Sequence, residues 1–99
     1  MKLEGKKVLV VGAGKSGIAA SELLLDKKIE TVLYDGNKDL DVEKLYEKAP
    51  KLKGMPVLLG ELTDEQLRAF DVAVLSPGVP TDLPVVERMR AQNVCIWGE

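Results

Sequence analysis

Five short apolar segments alternate with segments of helical periodicity along these 99 residues. The apolar segments are rich in Val and Leu, and near-continuous apolarity over a few residues is typical of strands buried on both faces of a parallel sheet. Short connections and right-handed crossovers then predict an α/β fold, a Rossmann-like doubly wound five-stranded parallel sheet of order 3-2-1-4-5 with helices on both faces. The predicted strands are residues 7–11, 31–35, 57–59, 71–75 and 94–97.

The first predicted helix, over residues 16–27, carries small side chains on the face directed at the sheet. These small residues would let the helix lie close to the strands. The stripe consists of Gly17, Ala20 and Leu24, with Leu23 beside it.

The later helices have recognisable ends. Pro50 is expected to stop the second helix, because proline cannot continue a helical hydrogen-bond pattern. Thr63 and Gln66 match a capping box and predict a third helix that begins at Thr63. A fourth helix is predicted to begin within residues 81–84. Its inward side chains are expected to be Val86 and Met89.

The charge is balanced and dispersed. The chain has 14 Lys and Arg against 16 Asp and Glu, a net charge of −2, and no block of one sign. This pattern argues against nucleic acid as a partner. The sequence shows no secretory signal and no apolar stretch that approaches a membrane span, so we predict a cytoplasmic location and no membrane partner.

The sequence offers few groups for catalysis. There is no histidine, and Cys95 is the only cysteine. The apolar surroundings of Cys95 predict a buried structural thiol rather than a nucleophile. We therefore expect neither a metal site nor catalytic residues within these 99 residues.

The segment after the first strand fits the pattern G-x-G-x-x-G. Gly12 would permit a tight turn, Gly14 would admit the phosphates of a ligand, and Gly17 would let the helix approach the strand. The helix N-terminus would add free amides and a partial positive charge. A nucleotide is the favoured ligand, and a tight turn without a ligand is the alternative.

Gly14, Lys15 and Ser16 also resemble the end of a Walker A loop. That pattern would need its first glycine at position 9, where Leu9 lies inside the first strand. The sequence therefore predicts no ATP-hydrolysing site in this segment. Lys15 is expected either to approach a diphosphate or to be a solvated lysine in the first helical turn.

Asp35 ends the second strand, eighteen positions after Gly17. A carboxylate there could accept hydrogen bonds from ribose hydroxyls or from the imide N–H of uracil. Alternatively, Asp35 only caps the turn that follows. Spacing alone does not distinguish adenosine from uridine.

Residues 76–80, Ser-Pro-Gly-Val-Pro, follow the fourth strand at the same edge of the sheet. The prolines would stiffen this loop, and Gly78 would expose a backbone amide to a sugar or diphosphate. On spacing alone, a stiff turn that orders the next helix is the better interpretation.

Together, residues 5–17, Tyr34-Asp35 and the loop 75–80 resemble the opening domain of the Mur ligases of peptidoglycan synthesis, and in particular the D-glutamate-adding members. The resemblance covers essentially the whole chain, including Ile96-Trp97-Gly98-Glu99, and the Ser-Pro-Gly loop is its specific part. It implies a single domain over residues 1–99 that forms the N-terminal part of a longer multidomain ligase.

The resemblance also implies a substrate and a set of contacts. The domain would hold the UDP portion of UDP-N-acetylmuramoyl-L-alanine, while a central domain of the same chain would supply the ATP and magnesium site. No cofactor is expected in the 99 residues, and alone they are expected to be inactive. Lys15 and Ser16 would flank the uracil, Gly14 would lie near the nucleotide, Asp35 would bond the base, and Gly78 would donate an amide toward the sugar diphosphate.

Two other functions stay open. The glycine loop and Asp35 also fit a NAD-binding regulatory or dehydrogenase domain. A domain that contributes only an interdomain surface is the third hypothesis, and it predicts that no nucleotide changes the melting temperature.

Overall fold

A computed structural model describes residues 5–76, 79 and 83–97. The strands it contains are β1 (Lys7–Val11), β2 (Glu30–Asp35), β3 (Val57–Leu59), β4 (Val72–Leu75) and β5 (Cys95–Trp97). They form one parallel sheet in the order β3-β2-β1-β4-β5, so the predicted topology is confirmed and the strand bounds differ by at most one residue.

Four α-helices connect the strands, and their ends follow local signals. They are α1 (Lys15–Asp26), α2 (Val42–Lys48), α3 (Asp64–Arg68) and α4 (Pro84–Ala91). Pro50 opens a 3-10 turn that follows α2, which confirms that the helix ends before it. The capping box is also confirmed, because the Gln66 amide donates to Thr63 Oγ1 at 3.1 Å and the Thr63 amide donates to Gln66 Oε1 at 2.8 Å.

Each face of the sheet carries its own apolar cluster. Side chains alternate along β1, so that Val8 and Val10 lie on the face covered by α1 and α2, while Leu9 lies on the face covered by α3 and α4. Val86 and Met89 of α4 are fully buried, as predicted. The sheet is therefore the middle layer of three.

Leu23, which the sequence placed beside the stripe of α1 that faces the sheet, lies on a flank of the helix and is 57% exposed. Ser21 is buried on the face toward the sheet, and its hydroxyl donates to the Gly17 carbonyl at 2.8 Å. The prediction that Cys95 is buried is wrong. Cys95 is exposed, because β5 lies at the edge of the sheet and little of the described chain covers the face on which the Cys95 side chain lies.

Within the described ranges, no helix has the length and apolar character needed to cross a bilayer.

The register brings three connections to one level of the sheet. Val11 pairs with Tyr34 on one side and with Leu75 on the other. Because the strands are parallel, the chain leaves all three at the same carboxyl edge. The residues next in line there are Gly12, Asp35 and Ser76.

Helix α1 approaches the β1 loop so closely that Gly17 has no room for a side chain. A Cβ atom at position 17 would lie 1.7 Å from the Gly12 carbonyl oxygen and 2.9 Å from Ser76 Oγ. The obstacle is backbone, which cannot turn aside as a side chain could. At Gly14, by contrast, a Cβ atom would meet nothing within 4 Å.

We expect Gly17→Ala to destabilise the protein by about 3 kcal/mol or more, because overpacking against backbone forces the helix to shift. In a domain of this size, that corresponds to a fall in melting temperature of roughly 12 °C or more. Gly14→Ala should cost less than about 1 kcal/mol, the difference between Gly and Ala at an N-cap. Thermal unfolding followed by circular dichroism measures both, and equal stability of the two variants would contradict the packing described here.

Candidate functional site

The loop after β1 turns sharply at Gly12. Gly12 has φ +104°, and a Cβ atom there would lie 3.1 Å from both Ser76 Oγ and Val79 Cγ2. Its amide donates to the Tyr34 carbonyl at 2.7 Å, which continues the pairing with β2. Both the conformation and the close approach therefore favour glycine at this position.

Asp35 holds two backbone segments with its carboxylate. One oxygen accepts from the Ala13 amide at 2.9 Å, and the other accepts from the Asn37 amide at 2.8 Å. The turn-capping interpretation of Asp35 is thus confirmed as one of its roles. Each carboxylate oxygen has more than one acceptor position, and Asp35 is partly exposed, so the group can also accept from a ligand.

The N-terminus of α1 adjoins this loop. Gly14 is the N-cap in an extended conformation, and within the described part of the chain no side chain caps the helix and no acidic side chain lies in its first turn. The partial positive charge of the 12-residue helix therefore faces outward without a nearby acidic side chain on the helix itself. An anionic group is the ligand that such a terminus favours.

A depression of about 240 Å³ lies at the carboxyl edge, between the ends of β1 and β2 and the segment that leads to α4. Its walls are mostly apolar, and the Asp35 carboxylate is the charged group in its lining. Such a combination suits a flat, partly apolar ligand with one hydrogen-bond donor. The lining residues are Val11, Gly12, Tyr34, Asp35, Gly36, Val79, Leu83 and Val85.

A second depression, of about 320 Å³, shares Tyr34, Gly36, Leu83 and Val85 with the first. Its other lining residues are Glu61, Leu62, Pro84 and Arg88. The Arg88 guanidinium is held there, because it donates to the Leu62 carbonyl at 2.6 Å and to the Asp64 carboxylate at 2.9 Å. Because they share four lining residues, the two depressions adjoin, and together they are called the groove.

Tyr34 fixes the wall between the two depressions. Its hydroxyl donates to the Gly60 carbonyl, and the Gly60 amide donates to the Asp35 carbonyl at 3.0 Å. Burial raises the pKa of the Tyr34 phenol, and the neighbouring Asp35 carboxylate raises it further. Tyr34 is therefore a neutral hydrogen-bond donor at physiological pH.

The structure brings Gly12 and Asp35 together, as the sequence predicted. Both line the first depression, and the hydrogen bond from the Ala13 amide joins the glycine loop directly to the Asp35 carboxylate. Gly17 lies beneath the loop and shapes the site through packing. Leu9 is fully buried within β1, which confirms that no Walker A loop can begin there.

Gly14, Lys15 and Ser16 lie elsewhere. All three are exposed at the start of α1 and do not line either depression. Their predicted contacts with a nucleotide stay predictions. Gly78 lies outside the described residues.

Sequence reasoning missed the far wall of the site. Val79 belongs to the loop 76–80 that the sequence placed at this edge, but Leu83, directly before α4, and Val85, in its first turn, were not predicted to line a site. Arg88 was missed as well, although its place one position before the inward Met89 puts it at the side of α4.

In the described parts of the chain, no group of three His, Cys, Asp or Glu side chains is arranged to hold a metal ion.

Comparison with curated proteins gives a consistent set of relatives. The chain is 48% identical over 99 residues to the UDP-N-acetylmuramoylalanine--D-glutamate ligase of Lachnoclostridium phytofermentans, and 40% identical over 99 residues to the ligase of the same name from Lachnospira eligens. In both cases the match covers 100% of this chain and 22% of the relative. The chain thus spans about a fifth of the length of these relatives.

Solved structures show the same fold at low sequence identity. A pseudomurein peptide ligase type C from Methanothermus fervidus superposes with a TM-score of 0.72 at 18% identity, over 94% of this chain and 19% of that one. A minor L-lactate dehydrogenase from Enterococcus mundtii gives 0.56 at 20% identity, over 94% and 36%. These two similarities concern the fold alone.

Residues 6–98 match the family described as Mur ligase MurD-like, N-terminal domain. This match covers nearly the whole chain, including all five strands and the glycine loop. Both curated relatives quoted above carry the name of the same ligase. The chain therefore belongs to the MurD-like Mur ligase family and constitutes its N-terminal domain.

Proposed function

We propose that this domain binds the UDP portion of UDP-N-acetylmuramoyl-L-alanine, so that a longer parent ligase can add D-glutamate to it with ATP. The observation that carries the proposal is the position of the Asp35 carboxylate, in an apolar-walled depression at the end of β2 and directly beside the glycine loop. In open parallel sheets, ligands bind beyond the carboxyl ends of the strands, where the strand order reverses. Here that point lies at β1.

In this proposal the uracil enters the depression and its imide N–H donates to Asp35. The Ala13 and Asn37 amides orient the carboxylate and leave it acceptor positions for the ligand. The apolar wall contributed by Leu83 and Val85 offers a surface for a flat base. A base with an imide N–H satisfies the acceptor at the floor of this depression.

The diphosphate lies toward the N-terminus of α1. Gly14 leaves the approach open, since a side chain at that position would meet nothing within 4 Å. Lys15 and Ser16 are exposed on the first turn, where they can reach the nucleotide from its outer side. Gly78 is proposed, by resemblance to the family, to donate its amide toward the sugar diphosphate.

The chemistry of ligation belongs to the rest of the parent protein. Its central domain would supply ATP and magnesium, which would convert the precursor's free carboxyl group to an acyl phosphate and ADP. The D-glutamate amine would then displace phosphate and form the amide bond. The role of the 99 residues is to hold and orient the nucleotide end of the substrate. Binding energy from such a remote group helps position the reacting carboxyl group.

Asp35→Asn in the full-length ligase should weaken binding of UDP-N-acetylmuramoyl-L-alanine by about tenfold, because a neutral amide oxygen accepts a hydrogen bond that is roughly 1 to 1.5 kcal/mol weaker than one to a charged carboxylate. Isothermal titration calorimetry measures the dissociation constant. Glu47→Gln, on the exposed surface of α2, is the matched control and should leave it unchanged.

A modified ligand separates direct contact from loop support, since Asp35 also holds the Ala13 amide. A precursor methylated at N3 of uracil lacks the imide N–H. If Asp35 accepts from that group, the methylated ligand binds the native ligase weakly, and Asp35→Asn weakens it little further. If the losses of binding free energy caused by the methyl group and by Asp35→Asn simply add, Asp35 acts only by holding the loop.

NAD is the competing ligand, and the same calorimetric experiment tests it. The glycine loop fits both ligands, and the similarity to a lactate dehydrogenase concerns the fold alone. Tight binding of NAD together with no response to the UDP precursor would overturn the ligase proposal.

The 99-residue chain by itself should neither hydrolyse ATP nor add D-glutamate to the precursor. Leu9 fills the place where a Walker A glycine would be needed, and the chain has no histidine. Phosphate release and product formation are measured with purified chain from a host whose own ligase has been removed. ATP-dependent turnover by that preparation would contradict the assignment of catalysis to the remainder of the parent protein.

A further inference from the structure

One half of the sheet is covered by helices on a single face. α3 and α4 pack on the face that carries Leu9 and Ala73, and α4 reaches β5 there. On the opposite face, α1, α2 and the 3-10 turn cover β1, β2 and β3. No helix among the described residues lies over β4 and β5 on that second face, although parallel sheets are ordinarily covered on both sides.

The side chains on this open half are apolar. Val72 is buried beside β1, but Val74, farther along β4, is partly exposed. The register pairs Val72 with Cys95 and Val74 with Trp97, so all four side chains lie on the same face. Cys95 is exposed and Trp97 is partly exposed.

Helix α1 adds an apolar edge to the same surface. Right-handed crossovers place α2 beside α1 on the side of β3, where Leu25 is partly buried. Leu23 lies about 200° around the helix from Leu25 and therefore faces the side of β4. This explains why Leu23 is the exposed large hydrophobic side chain, with the partly buried Ala20 beneath it.

We propose that this open face, formed by Ala20, Leu23, Val74, Cys95 and Trp97, is the surface on which the chain that follows this domain in the parent ligase docks. The inference rests on the proposed function in so far as it takes the domain to be one part of a longer ligase. The open face lies on the side of the sheet opposite α3 and α4, whereas the binding groove is walled by the segment that leads to α4.

The occupant follows from the lengths of the relatives. The matched region is 22% of each curated relative, and the family describes it as an N-terminal domain, so most of such a protein follows it in sequence. A covalently attached occupant has a high effective concentration and needs only a modest apolar surface to dock. β5 contributes Trp97 to the face, so chain that continues from β5 starts beside the surface it would cover.

Alkylation of Cys95 in the full-length ligase tests the proposal. Cys95 is exposed in the domain, so it reacts freely if nothing covers the face. We expect iodoacetamide to modify native Cys95 about tenfold or more slowly than in the urea-unfolded protein, as read by mass spectrometry of the Cys95 peptide. The protection should not change on dilution, because docking within one chain is independent of concentration.

Leu23→Gln should lower this protection and the melting temperature, whereas Glu47→Gln, the matched change at an exposed position on α2, should alter neither. Native reaction at nearly the unfolded rate would overturn the proposal. Protection that disappears on dilution would assign the face to a second copy and overturn it too, as would protection that Leu23→Gln leaves unchanged. A ligase that fails to bind the UDP precursor would overturn the proposed function and leave the alkylation result standing, so the two failures are distinguishable.

Discussion

The contact between Gly17 and the Gly12 carbonyl determines the geometry of the whole site. A side chain at position 17 would lie 1.7 Å from that oxygen, so the start of α1 can rest on the β1 loop only because Gly17 has no Cβ atom. This contact sets the direction of the helix N-terminus relative to the sheet. It also fixes the loop in which the Ala13 amide points at Asp35. The anion-favouring helix end and the carboxylate are thereby held at one edge of the sheet.

Asp35 combines structural and binding roles in one carboxylate. Its two oxygens order the glycine loop and the turn after β2, and the same group lies in the depression where a base would enter. Preorganisation of this kind lowers the cost of binding, because the acceptor already has its orientation before the ligand arrives. The sequence-based alternatives of turn cap and ligand contact are therefore compatible. A backbone amide occupies one acceptor position on each oxygen and leaves others open.

The sheet is unevenly covered, and this has a physical cause in its topology. Both right-handed crossovers from β1 through β3 lie on one face, whereas α3 and α4 lie on the other. Among the residues that the structure describes, the β4–β5 half therefore has helices on one side only. The apolar side chains left on the other side of this half form the open face proposed above as a docking surface.

The sequence by itself determined the strands, their order, the capping box of α3 and the identity of the glycine loop. These features depend on local signals: apolar runs, the Thr63–Gln66 capping box, and handedness rules that leave few topologies. The tertiary structure alone decided the exposure of Leu23 and Cys95 and the far wall formed by Leu83 and Val85. Periodicity reports that a side chain is apolar, but burial depends on which neighbouring element covers it, and no helix among the described residues covers β5 on the Cys95 side.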